Sequence, residues 1–212
     1  MATKKATVSV LPSGMRYLAL GDSYTIGEGV EAAGRWPLQL ATALREEGIA
    51  LRDPRIIATT GWTTDELGSA IDLAEPLGHW DLVTLLIGVN NQYRGRGDEE
   101  YRAHFQTLVN RATAFARGKA ARVIAVSIPD WGVTPFATGR DRPAIARAID
   151  RFNAVSREET RRAGAHYADI TPISRRALGD ASLIAADGLH PSATMYAAWL
   201  DVIFPLALRI LS

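Results

Sequence analysis

Leu82-Val83-Thr84-Leu85-Leu86-Ile87 is apolar at every position except Thr84 and runs directly into Gly88-Val89-Asn90-Asn91. A strand with one face in water alternates apolar and polar residues; a run without alternation is covered on both faces, as inside a parallel sheet. Shorter runs rich in branched residues recur at Tyr17 to Leu20, Arg55 to Ala58, Arg122 to Val126 and His166 to Ile170, and they read as further strands.

Segments with helical spacing separate these runs. One starts at Asp98, taken as N-cap, with Glu99 and Glu100 in its first turn, and stops near Gly118. Its residues Tyr101, Phe105, Leu108, Ala112 and Phe115 fall on one stripe. A second runs from about Pro143, behind Asp141, to Gly164, and buries Ile145, Ile149 and Phe152. Thr63 and Glu66 can form a capping box opening a helix toward Ala74, and Trp36 to Glu47 ends at Gly48. The last helix follows Pro191 and carries Tyr196, Trp199, Leu200 and Ile203, with Pro205 expected to kink or end it. Strict alternation of strand and helix predicts an α/β fold, a parallel sheet between helix layers. Active sites in such sheets lie beyond the C-terminal ends of the strands, where the irregular stretches 89–97, 129–142 and 171–188 are expected.

The bulk composition bounds the function. With 212 residues, 47% hydrophobic and 22% charged, the chain suits one globular domain, expected over residues 16–212 behind a short N-terminal extension over residues 1–15. Twenty-four basic against 23 acidic residues leave a net charge of +1, so no global field favours nucleic acid. Arg157, Arg161, Arg162, Arg175 and Arg176 are interleaved with Glu158 and Glu159, which reads as a solvated helix face. The absence of cysteine excludes a disulfide framework, a thiolate nucleophile and a cysteine-based metal site. After Lys4 and Lys5 the apolar stretch Ala6 to Pro12 is broken by Ser9 and is too short for a secretory core. No run approaches the ~20 apolar residues of a membrane span, so no transmembrane segment and a cytoplasmic location are the default expectations.

Four elements at strand ends carry chemistry. Gly21-Asp22-Ser23-Tyr24, followed by Gly27 and Gly29, puts a serine just past the first strand. Turns also collect these residues for conformational reasons. The stretch is not the G-x-S-x-G elbow, since position 25 is threonine, and no Gly-Lys-Ser or Gly-Lys-Thr makes a phosphate loop. In Asp187-Gly188-Leu189-His190-Pro191 a carboxylate precedes a histidine closely enough to reach its Nδ1 and fix the tautomer, although an ordinary turn before a helix has the same letters. Gly61 after the second strand and Asn90 after the third offer an unobstructed main-chain N–H and a side-chain amide, the donors a developing oxyanion needs.

Taken in order along the chain, these elements resemble the SGNH (GDSL-type) hydrolases, with Ser23, Gly61, Asn90 and His190 as the matching letters across residues 17 to 192. The resemblance implies a flavodoxin-like three-layer α/β/α sandwich on five parallel strands, with no metal or organic cofactor. It implies Ser23 as nucleophile, His190 as base and then acid, Asp187 orienting His190, and an oxyanion hole of the Ser23 and Gly61 N–H groups and the Asn90 amide. Gly-Asp-Ser-Tyr replaces the usual leucine ending without touching a catalytic atom. Asn91 stands where the family usually has aspartate, so the hydrogen bonds of that carboxylate are expected to be weaker or differently arranged. Asp169 is a rival for the triad acid on position alone, and His79, His104 and His166 are expected to be structural. Trp62, Trp131 and Phe136 are candidates for a substrate groove, and residues 129–142, with two arginines, for part of an acyl-binding wall. The implied substrate is a small-molecule acyl ester, with lysophospholipids or acyl thioesters as candidates. A carbohydrate O-deacetylase and a non-catalytic binding module are the alternatives.

Overall fold

The structure is a computed structural model that describes residues 14–212. Its strands are β1 (Tyr17–Gly21), β2 (Arg55–Ala58), β3 (Leu82–Leu86), β4 (Val123–Val126) and β5 (His166–Ala168). The helices are α1 (Ser23–Ile26), α2 (Trp36–Glu46), α3 (Thr64–Ala74), α4 (Val89–Tyr93), α5 (Asp98–Phe115), α6 (Arg142–Ala163), α7 (Thr171–Ser174) and α8 (Ala193–Leu211). All five strands join one parallel sheet in the order β2-β1-β3-β4-β5, the flavodoxin-like doubly wound arrangement. Helices α3, α5 and α6 cover one face and α2 and α8 the other. Every residue of β1 and β3 is buried, which is why Leu82 to Leu86 shows no alternation. The polar exception is satisfied inside the core, where Thr84 Oγ1 lies 3.0 Å from Tyr17 Oη.

Local signals place most helix starts. Thr63 and Glu66 form the expected capping box, and Asp141 accepts the Ala144 N–H at 2.9 Å to open α6. Asp98 is not a cap: it is the first residue of α5 behind Gly97, and with Glu99 and Glu100 it puts negative charge on the helix N-terminus without a capping bond. That helix ends at Phe115, short of Gly118, with Arg117 and Gly118 both at positive φ. Nor does Pro205 end the last helix, which continues to Leu211. Pro205 lies on the exposed face, where the freed carbonyl one turn back meets water, while Tyr196, Trp199, Ile203 and Ala207 are buried on the other face. By length and composition Ala193–Leu211 also suffices to cross a membrane, with a mean hydropathy of 1.4, contrary to the expectation that no run would. The expected N-terminal extension lies outside the described residues except for Gly14 and Met15, and Met15 already bridges Leu51 in parallel fashion.

Two glycines at strand ends are required by close approach. A Cβ on Gly21 would sit 2.1 Å from Thr25 Oγ1 and 2.4 Å from the Leu86 carbonyl. Gly88 has φ +128, and a Cβ there would meet the Tyr101 ring at 2.6 Å while that ring's hydroxyl is tied to the Ile87 carbonyl at 3.1 Å. Gly88→Ala combines backbone strain with overpacking and is expected to cost roughly 2–5 kcal/mol of stability, read as a lower urea midpoint with unchanged m-value. An unchanged midpoint would show that Tyr101 yields freely.

Candidate active site

In the ladder Gly21 pairs with both Ala58 and Leu86, so the chain leaves β1, β2 and β3 at one edge of the sheet. Ser23, Gly61 and Asn90 therefore converge although they are far apart in sequence. Ser23 opens α1, a single turn capped by Asp22, whose Oδ1 accepts the Tyr24 N–H at 3.0 Å. The Ser23 carbonyl holds the turn by accepting the N–H groups of Gly27 and Glu28, both at 3.0 Å. Burial pushes the Asp22 carboxyl up to about 8 despite its main-chain hydrogen bonds, which favours the neutral form of the group beside Ser23.

Gly61 has φ +85, and its carbonyl accepts Arg94 Nη2 at 2.7 Å, which sets the orientation of the loop after β2. Asn90 donates one amide hydrogen from Nδ2 to the Trp62 carbonyl at 2.9 Å, leaving the other for a ligand. Asn91 is fully buried, and its amide meets Thr64 at both ends: Oδ1 accepts the Thr64 N–H at 3.0 Å, and Nδ2 donates to Thr64 Oγ1 at 2.8 Å. These two bonds pin α4 to the start of α3. Thr64 Oγ1 also lies 3.3 Å from His104 Nδ1, the structural setting of that histidine.

The fourth element approaches from the loop before α8. Asp187 Oδ2 lies 2.6 Å from His190 Nδ1, while Oδ1 accepts the N–H groups of Leu189 and His190, each at 2.9 Å. Partial burial pushes the Asp187 carboxyl up, but the His190 ring and these main-chain donors outweigh it and hold it below its usual value. The loop is tied down by Ala185 N–H to the His190 carbonyl at 2.8 Å and by Phe136 N–H to the Gly188 carbonyl at 3.0 Å. Asp169 is engaged elsewhere, with Arg157 and with Ser127 Oγ. No cluster of three or more His, Asp or Glu positioned to hold a metal occurs among the described residues.

Ser23, Gly61, Asn90 and His190 line one pocket of about 150 Å³ together with Tyr93, Trp131, Phe136 and Leu189. Asp187 stands behind the histidine, outside the lining. Of the aromatic candidates, Trp131 and Phe136 line the pocket and Trp62 does not; its ring packs on the core and its carbonyl holds Asn90. Sequence reasoning missed Tyr93, because residues 89–97 were expected to be irregular. In α4 the spacing of Asn90 and Tyr93 puts both on one helix face.

The sequence matches the model of the GDSL-like lipase/acylhydrolase family over residues 19–198. The chain belongs to this family. As a GDSL-like acylhydrolase it is an ester-bond hydrolase. Among curated proteins none matches it. Solved structures share the fold: TesA at a TM-score of 0.73 and 20% identity covers 92% of this chain and 99% of its own. A lipase/acylhydrolase from Enterococcus faecalis gives 0.70 and 22%, with 93% and 98% covered. The acetylxylan esterase Axe2 from Geobacillus stearothermophilus gives 0.68 and 18%, with 94% and 95% covered.

Proposed function

We propose that this GDSL-like acylhydrolase cleaves carboxylic esters of small molecules with Ser23 as nucleophile, His190 as general base and acid, and Asp187 as the group that orients His190. The observation that carries the reading is the convergence of Ser23, Gly61, Asn90 and His190 on one pocket, with a carboxylate 2.6 Å from Nδ1 of the histidine. In this reading His190 Nε2 takes the Ser23 proton as Oγ attacks the carbonyl, and returns it to the leaving alcohol; water then repeats the sequence on the acyl-enzyme. The developing oxyanion meets the Ser23 and Gly61 N–H groups and the free amide hydrogen of Asn90. The neutral form that burial favours at Asp22 suits this step, because an anion at that position would oppose the charge that forms.

A panel of acyl esters of increasing chain length, run beside lysophospholipids, acyl thioesters and acetylated sugars, tests the substrate class. The sugar deacetylase is the second reading. It is favoured by Tyr93 and Phe136, 46% and 41% exposed at the pocket, which offer ring faces of the kind sugars stack on. Faster turnover of acetylated sugars than of simple acetates would select it. Asn90→Ala is expected to lower kcat by about 10²–10³, the usual loss for one oxyanion donor. A raised KM with unchanged kcat would instead make Asn90 a binding group.

A further inference from the structure

Away from the reacting atoms, the pocket wall is a triangle of rings. Tyr93 and Trp131 have centroids 5.4 Å apart, Trp131 and Phe136 5.9 Å, and Tyr93 and Phe136 6.0 Å. Trp131 is its fixed corner: the indole N–H donates to Gln92 Oε1 at 2.8 Å, and the turn it begins is held by Asp130, which accepts Gly132 N–H and Arg175 Nε, both at 2.9 Å. The Arg140 guanidinium carbon lies 5.0 Å from the Phe136 centroid and 5.4 Å from those of Tyr93 and Trp131. Its backbone is set by a turn, Arg140 N–H to the Ala137 carbonyl at 3.1 Å, immediately before the cap of α6.

This cation has nothing acidic to neutralise it. The adjacent carboxylate, Asp141, is occupied with the Ala144 N–H, and Arg140 forms no ion pair among the described residues. Its polar contact is with Tyr93 Oη at 3.4 Å. By contrast, Arg94 near Gly61 is paired with Glu66, and Glu28 is held by Thr60. Ring contacts hold a guanidinium by its faces and leave its N–H edge for a carboxylate or phosphate, two of whose oxygens that fork can meet at once. A side chain already ordered on rings also loses less freedom when it binds. Arg140 is not part of the pocket lining, so only a group that extends past the rings can meet it.

We infer that Arg140 is a specificity-determining residue that selects ester substrates carrying an anionic group, a carboxylate or a phosphate, separated by a spacer from the scissile carbonyl. The inference rests on the esterase reading and narrows it. A neutral short acyl ester would use the catalytic residues without reaching Arg140.

The test compares kcat/KM for ethyl half-esters of dicarboxylic acids of increasing length with that for neutral ethyl esters of matching length, by titration of released acid. A second arm uses acetate esters of ω-hydroxy acids, with the anion on the alcohol side. The wild-type protein is expected to favour the charged member of at least one pair by about tenfold, a charge-assisted hydrogen bond's worth, and added salt should reduce the preference. Arg140→Met, which still covers the rings, should bring the ratio to about unity and leave ethyl acetate within about twofold; Arg140→Lys should retain part of it. A preference confined to the alcohol-side arm supports the selection and assigns Arg140 to the leaving-group end. Equal ratios in wild type and Arg140→Met, or no preference in either arm, overturn it while the esterase reading stands. A wild-type protein that hydrolyses no ester overturns both.

Discussion

Ser23→Ala is expected to reduce kcat on a short acyl ester by a factor on the order of 10⁶, the scale seen when a triad nucleophile is removed, and to leave the fold intact. The two halves of this expectation rest on different atoms of one residue. Chemistry needs Oγ at the pocket, which Ser23 and His190 both line. The turn needs the main chain: the Ser23 carbonyl accepts the Gly27 and Glu28 N–H groups, and the cap of α1 is the Asp22 carboxyl group. Alanine keeps every one of those bonds and is a good helix former. Melting temperature should therefore stay close to wild type, and a fluorophosphonate probe that labels wild-type protein at Ser23 should leave the variant unlabelled. Normal turnover by folded Ser23→Ala protein would sink the triad reading, and a wild type that the probe does not label would favour a binding module.

Much of this site is legible in the sequence because its parts announce themselves locally. The unbroken apolar run at Leu82 to Leu86 reports burial on both faces, and burial on both faces means a parallel sheet with its site at the C-terminal edge. Thr63 with Glu66, and Asp187 with His190, are pairs close enough in sequence for their spacing to fix their contact. What stayed hidden depends on tertiary context. Trp62 and Trp131 look alike as aromatic residues in strand-end loops, yet only the partner Gln92 Oε1 decides that Trp131 faces the pocket. Acids at 98–100 read equally well as a cap or as first-turn charge, and only the backbone at Gly97 distinguishes them. Pro205 signals a break, but burial of one face of α8 outweighs the lost hydrogen bond on the other. Asn91 is the sharpest case: the letter shows that no carboxylate is present, but not that its amide makes two hydrogen bonds to Thr64, which join α4 to the start of α3.

Asp187→Asn is expected to lower kcat by about 10⁴. The effect follows from how the carboxylate is used. Oδ1 is taken by the Leu189 and His190 N–H groups, and Oδ2 faces His190 Nδ1. In the variant the amide oxygen keeps the two main-chain donors, so the loop holds, and the NH₂ group is left facing Nδ1. Two donors cannot share that contact. The neutral ring must then present Nδ1 as acceptor and carry its proton on Nε2, the tautomer that cannot accept the Ser23 proton. Asp187 is held below the usual carboxylate range, so its contribution is fully present above that range and is lost only as pH falls through the lowered value. Near neutral pH it is therefore an anion, and the bond that orients the ring is in place. Asp169→Asn is the control, because Asp169 serves Arg157 and Ser127 on the β4–β5 side of the sheet. It should leave the maximum rate unchanged; if it lowers kcat while Asp187→Asn does not, Asp169 is the triad acid and the Asp187–His190 contact has no part in catalysis.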